Sequence, residues 1–209
     1  MVTESGSAQV LSLRGVAARA GVAATSVYLH FADLDALRVA LAQRCFSEFA
    51  AARDASSAGV DDPVRALILR CQAYIQYALD HPGLYRLMFS PDLPALDPAM
   101  SGGGPAGAGE TAPSTAALTG LAAAIGRCQQ AGRTSDTTDP AWLALLTWSA
   151  LHGQATLRID RPHGPWPPLE QTIPDLMTRL LRLRGQTEPP EEPGHRVGPV
   201  TTGMEPETR

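Results

Sequence analysis

Residues 13–31 read LRGVAARAGVAATSVYLHF, and the spacing inside that stretch decides the fold of the chain. Leu13, Val16, Ala17 and Ala20 share one helical face, and Ser12 stands where a hydroxyl caps the first turn. Gly21 supplies the permissive backbone of a helix stop, and Val22 follows as an apolar plug. A second short helix is expected from about residue 24 to residue 31. Val27 and Phe31 would turn back to the first helix, leaving Thr25, Ser26, Tyr28 and His30 on the far side. Helix, three-residue turn, helix is the layout in which one helix enters a DNA major groove while its neighbour braces across the phosphates.

Working outward, Asp33 reads as the cap of a third helix carrying Leu37, Leu41, Cys45 and Phe49 at four-residue steps to about Arg53. Asp62-Pro63 opens a fourth, with the acid as cap and proline in the first turn, running to Asp80. His81-Pro82-Gly83 breaks it, and residues 84–89 make a short apolar helix. Residues 91–113 hold too many prolines and glycines for regular structure and read as a mobile loop. Helical pattern returns over residues 114–130, and Asp139-Pro140 starts a helix reaching about Arg158. In the latter, Trp142, Leu143, Leu145, Leu146, Trp148 and Leu151 leave little polar face, so one side is expected against a partner subunit. Residues 169–183 form a last amphipathic helix, and residues 185–209 read as a disordered tail of Pro, Glu, Gly and Thr. No strand pattern is present. The expected class is all-α, with a helix-turn-helix domain over residues 1–53, a helical bundle over 54–184 and the tail beyond.

Composition narrows the function. With 209 residues and 44% hydrophobic content the chain buries a real core, and no apolar run approaches the roughly 20 residues of a membrane span. The N-terminus has no basic segment followed by an apolar one, so a cytoplasmic protein is expected. The net charge of −4 argues against an extended polyanion-binding surface, yet residues 11–31 carry Arg14 and Arg19 and no acid. Cys45, Cys71 and Cys128 are widely spaced and read as buried free thiols rather than disulfides or a zinc site. The five histidines fall in no metal-binding or catalytic spacing, so no metal, no cofactor and no enzymatic activity are expected.

Residues 11–37, LSLRGVAARAGVAATSVYLHFADLDAL, resemble the DNA-binding domain of the TetR family of transcriptional regulators. Ala20-Gly21-Val22 matches its turn, and Tyr28, His30, Phe31, Asp35 and Leu37 fall in register with its signature. The resemblance implies DNA contacts, mostly to phosphates, from Ser12, Arg14, Thr25, Ser26, Tyr28 and His30. Two positions depart from the family: Ala23 stands where a Ser or Thr cap is usual, and Leu34 where a phosphate-binding Lys is usual. The family also has a full first helix before the segment aligned with residues 3–10, so a truncated first helix is expected here.

Trp148-x-x-x-His152-Gly153 resembles the tryptophan, histidine, glycine signature of one TetR C-terminal type. On its own residues, His152 is expected to be a hydrogen-bonded core or interface residue rather than a metal ligand. The resemblance implies an apolar effector pocket drawn from Tyr74, Tyr77, Tyr85, Met88, Phe89, Trp142, Trp148 and His152. It further implies a ligand-responsive repressor, a homodimer closed by a four-helix interface, and a palindromic double-stranded DNA operator. The alternative is a dimeric small-molecule binding protein that has lost DNA binding.

Overall fold

Four of the helices begin where a side chain supplies a partner for unpaired amides: Ser12, Asp33, Asp62 and Asp139. The computed structural model describes residues 12–90, 93 and 113–184. Helix α1 spans Leu13–Ala20, and the Ser12 hydroxyl accepts from the Gly15 N–H at 3.1 Å. Gly21 ends it with φ of 68°, and the Val22 N–H returns to the Ala17 carbonyl at 3.0 Å. Helix α2 spans Ala24–Tyr28, and α3 spans Leu34–Ser56 from Asp33, whose carboxylate accepts from the Ala36 N–H at 2.7 Å. Helix α4, Pro63–Asp80, has Asp62 accepting from the Val64 and Arg65 amides. Helices α5, Pro82–Met88, and α7, Pro140–Asp160, also start on proline, with α6 at Pro113–Gln130 and α8 at Leu169–Leu181.

The fold is all-helical, as the spacing predicts, with a single antiparallel bridge between Thr134 and Leu183 among the described residues. Helix ends depart from expectation for local reasons. Helix α2 stops at Tyr28 rather than Phe31, because the Val27 carbonyl takes both the His30 and the Phe31 N–H, and the chain leaves the helix there. Helix α5 starts at Pro82 rather than Leu84, the proline acting as first-turn residue while the Tyr85 N–H bonds the His81 carbonyl. Helix α8 stops at Leu181, not Leu183, because Arg182 adopts φ of 48° and frees Leu183 to bridge Thr134. The expected loop over 91–113 and tail over 185–209 lie outside the described residues, apart from Leu93, which is buried, and Pro113; so do residues 1–11, which include the expected truncated first helix.

Two apolar cores result. A small one joins Leu13, Ala17 and Val27 with Ala24, Phe31, Leu34 and Leu37 packed on it. The large one fills the bundle of α3 to α8, and α4 is its central post, touching every other helix of the bundle. Leu67, Ile75 and Ala78 of α4 are fully buried, each of the larger two contributing about 1.5–3 kcal/mol. Helix α3 belongs to both cores: Leu34 and Leu37 sit in the small one, Ala42 to Phe49 in the large one. Among the described residues, no helix is long and apolar enough to cross a membrane.

Candidate functional site

The small core presents α2 outward. Val27 is buried, whereas Thr25, Tyr28 and His30 are exposed and Ser26 is half-buried. Tyr28 leaves 54% of its surface in solvent. Ser12 and Arg14 are exposed at the start of α1, although the Ser12 hydroxyl is occupied as the cap. Leu29, 84% exposed beside Tyr28, adds an apolar tip that helical periodicity alone does not single out. Ala23 caps α2 without a side-chain hydrogen bond, and Leu34 turns inward to the small core. Both departures from the family pattern therefore remove polar groups from this face.

A second constellation lies inside the bundle. The hydroxyls of Tyr74 on α4 and Tyr85 on α5 meet at 2.8 Å, and the Tyr85 hydroxyl meets Nδ1 of His152 on α7 at 2.7 Å. Around this chain the rings stand edge to face: Phe49 on Tyr74 at 4.9 Å, Phe89 on His152 at 4.8 Å, Phe46 on Phe89 at 5.6 Å. Trp148 lies 5.7 Å from His152 and 6.2 Å from Phe89. Burial pushes the Tyr74 hydroxyl up to about 12 and the Tyr85 hydroxyl well above the ordinary phenol range. The same cause lowers His152, so the imidazole is held neutral and offers one donor and one acceptor.

Of the eight aromatic and thioether candidates, the structure gathers Tyr74, Tyr85, Phe89, Trp148 and His152, with Met88 buried in the same core. Tyr77 faces elsewhere: its ring packs on Phe49 and His81, and its hydroxyl donates to the Cys45 carbonyl at 3.5 Å. Trp142 is not part of the group. It stands 55% exposed on the outer face of α7 with Leu145, Leu146 and Leu157. On the inner face of that helix Leu143, Ala144, Thr147, Leu151 and Ala155 are buried.

Two buried arginines escape a reading of the sequence. Arg158 stacks on Trp166 and donates to the Pro167 carbonyl at 2.9 Å, tying α7 to the turn before α8. Arg53 is 8% exposed and lies over the Phe49 ring, 4.8 Å from its centre. The four-residue step from Leu37 through Phe49 runs on to Arg53, which is the available signal. Cys45, Cys71 and Cys128 are free and buried as expected, their thiols raised to about 11, 12 and 11 by desolvation.

The family model described as "Tetracyclin repressor-like, C-terminal domain" matches residues 64–183, more than half of the chain. The chain belongs to the TetR family. Solved structures agree with this TetR assignment at the level of fold. A protein of unknown function from Rhodococcus sp. RHA1 aligns at 24% identity and TM-score 0.65, covering 84% of this chain and 85% of its own. The TetR family transcriptional regulator PfmR from Thermus thermophilus aligns at 19% identity and TM-score 0.59, over 85% and 91% of the two chains. AibR in its apo form gives 15% identity and TM-score 0.59, over 84% and 90%. No curated protein matches the chain. As a TetR protein it joins a family of transcriptional regulators, and the α1 to α3 segment is the helix-turn-helix of the fold.

Proposed function

We propose that the chain is a ligand-responsive repressor that binds a palindromic operator as a homodimer. The observation that carries the reading is the division of labour along α3. Its first turn packs on the small core that presents Thr25, Ser26, Tyr28 and His30, and its middle packs on the aromatic chain of the bundle. A ligand that displaces Phe49 or its neighbours moves the lever on which the DNA-facing residues ride. Release from DNA requires that the ligand prefer the non-binding arrangement; equal affinity for both arrangements shifts nothing.

Dimerisation supplies the second reading head, and the exposed apolar face of α7 supports it. Trp142, Leu145, Leu146 and Leu157 form a stripe that a monomer would leave wet, and Ser149 and Gly153 keep the middle of it small. A Cβ built on Gly153 meets nothing within 4 Å, so another backbone can approach there. An isologous interface at this face sets the separation of two α2 helices, and hence the half-site spacing.

A mobility shift on DNA from the promoter region of its own gene tests the reading. The wild-type chain should retard a fragment containing an inverted repeat, and Tyr28→Ala with His30→Ala should abolish retardation while leaving the helical circular-dichroism signal intact. Retention by the double variant would sink the assignment of these residues.

A further inference from the structure

Arg53 is 8% exposed and has no anionic partner among the described residues. No ion pair joins it to a carboxylate among the described residues, and its Nε is buried without a hydrogen bond. The one carboxylate among the charged groups acting on it is Asp54, and Asp54 is engaged by Arg70 at 2.6 Å on the solvent side, 64% exposed. Among the described residues two cations thus share one acid, and one positive charge is left over at the edge of the apolar core. With Nε buried and unpartnered and water scarce around the rest of the group, an anion drawn up to this charge gains more than it would at an open surface. Arginine suits a planar anion, which it binds with two parallel N–H donors.

What lies next to Arg53 defines the rest of that anion. Its guanidinium sits over Phe49, Phe49 meets Tyr74, and Tyr74 leads by hydrogen bond to Tyr85 and His152. The path from the charge is therefore an aromatic wall ending in neutral hydrogen-bonding groups. A single excess charge matches a monoanion, whereas a phosphate dianion would leave one negative charge buried.

We propose that Arg53 is the anchor for the carboxylate of an amphipathic small-molecule effector, whose apolar body runs along Phe49 and Tyr74 into the bundle. This names the ligand class of the effector site and rests on the reading of the bundle as that site. It also gives the lever a handle, since Arg53 lies one turn beyond Phe49 on α3 itself.

Thermal unfolding of the full chain with straight-chain carboxylates from butanoate to decanoate, and with the matching primary alcohols, tests the proposal without DNA. At least one carboxylate should raise the melting temperature, and its alcohol should not. Arg53→Met should melt higher than wild type without ligand, because it removes an uncompensated charge, and should bind the best carboxylate about ten- to a hundredfold more weakly. Arg53→Lys keeps the charge without the planar fork and should respond in between. If no carboxylate stabilises the wild type, if the alcohols stabilise it equally, or if Arg53→Met melts lower and responds as wild type does, the proposal is overturned. Should Arg53→Met not fold, the carboxylate against alcohol contrast and the Arg53→Lys response decide it alone. Loss of DNA retardation by wild-type protein would count against the regulator reading and leave this test standing.

Discussion

Thr147 carries a hydroxyl that finds no partner among the described residues although the residue is fully buried on the inner face of α7. Valine has nearly the same shape without the polar group, so Thr147→Val should stabilise the chain by about 1 kcal/mol, read as a higher urea midpoint at unchanged slope. An unchanged or lower midpoint would show that the hydroxyl is satisfied in solution. His152 makes a pH prediction of definite sign. Burial depresses its folded-state value below the ordinary 6.5, so between these two values the unfolded chain binds the extra proton. The stability it contributes is complete above 6.5 and is lost as pH falls toward the depressed value. His152→Gln, which keeps a donor and an acceptor but cannot titrate, should flatten the melting temperature over that interval. A slope identical to wild type would place the titration on another group.

Helix starts obey chemistry that a sequence displays openly, and helix stops depend on partners that it does not. Asp33, Asp62 and Asp139 each cap a helix as their positions predict. By contrast, α8 loses its last two expected residues where Leu183 bridges Thr134, 49 positions away in the chain, and no local pattern announces such a contact. Helix α2 is the weakest element, five residues with no side-chain cap. Ala23→Ser restores a hydroxyl where the α2 amides need one, and should add about 1 kcal/mol at most. Because Ala23 is exposed, the substitution disturbs no packing. Hydrogen exchange should show slower opening of α2 amides in that variant, with the bundle unchanged; an equal effect on α4 would mean that the two cores open together.

At the scale of the molecule, the all-helical class, with a helix-turn-helix ahead of a helical bundle, is legible in the sequence, because each helix carries its own periodicity. The interior of the bundle is legible only in part. Trp142 and Trp148 look alike in the sequence, yet six residues place them roughly 240° apart around a helix, so one faces out when the other faces in. Arg53 goes unnoticed because arginine is ordinarily a surface residue, and its place in the Leu37 to Phe49 register outweighs that habit. The outward face of α7 makes the last prediction. A monomer gains nothing from exposing Trp142, Leu146 and Leu157 together, whereas a symmetric pair buries each residue twice. Leu146→Glu with Leu157→Glu places like charges on both sides of such an interface without touching the buried face of the helix. Sedimentation should then show a dimer for wild type and a monomer for the double variant, with the helical signal preserved in both. DNA retardation should fall with dimerisation, because one reading head with a modest local charge holds few phosphates. A wild-type monomer would separate this face from the regulator's assembly, and a dimer in both proteins would place the interface on another surface.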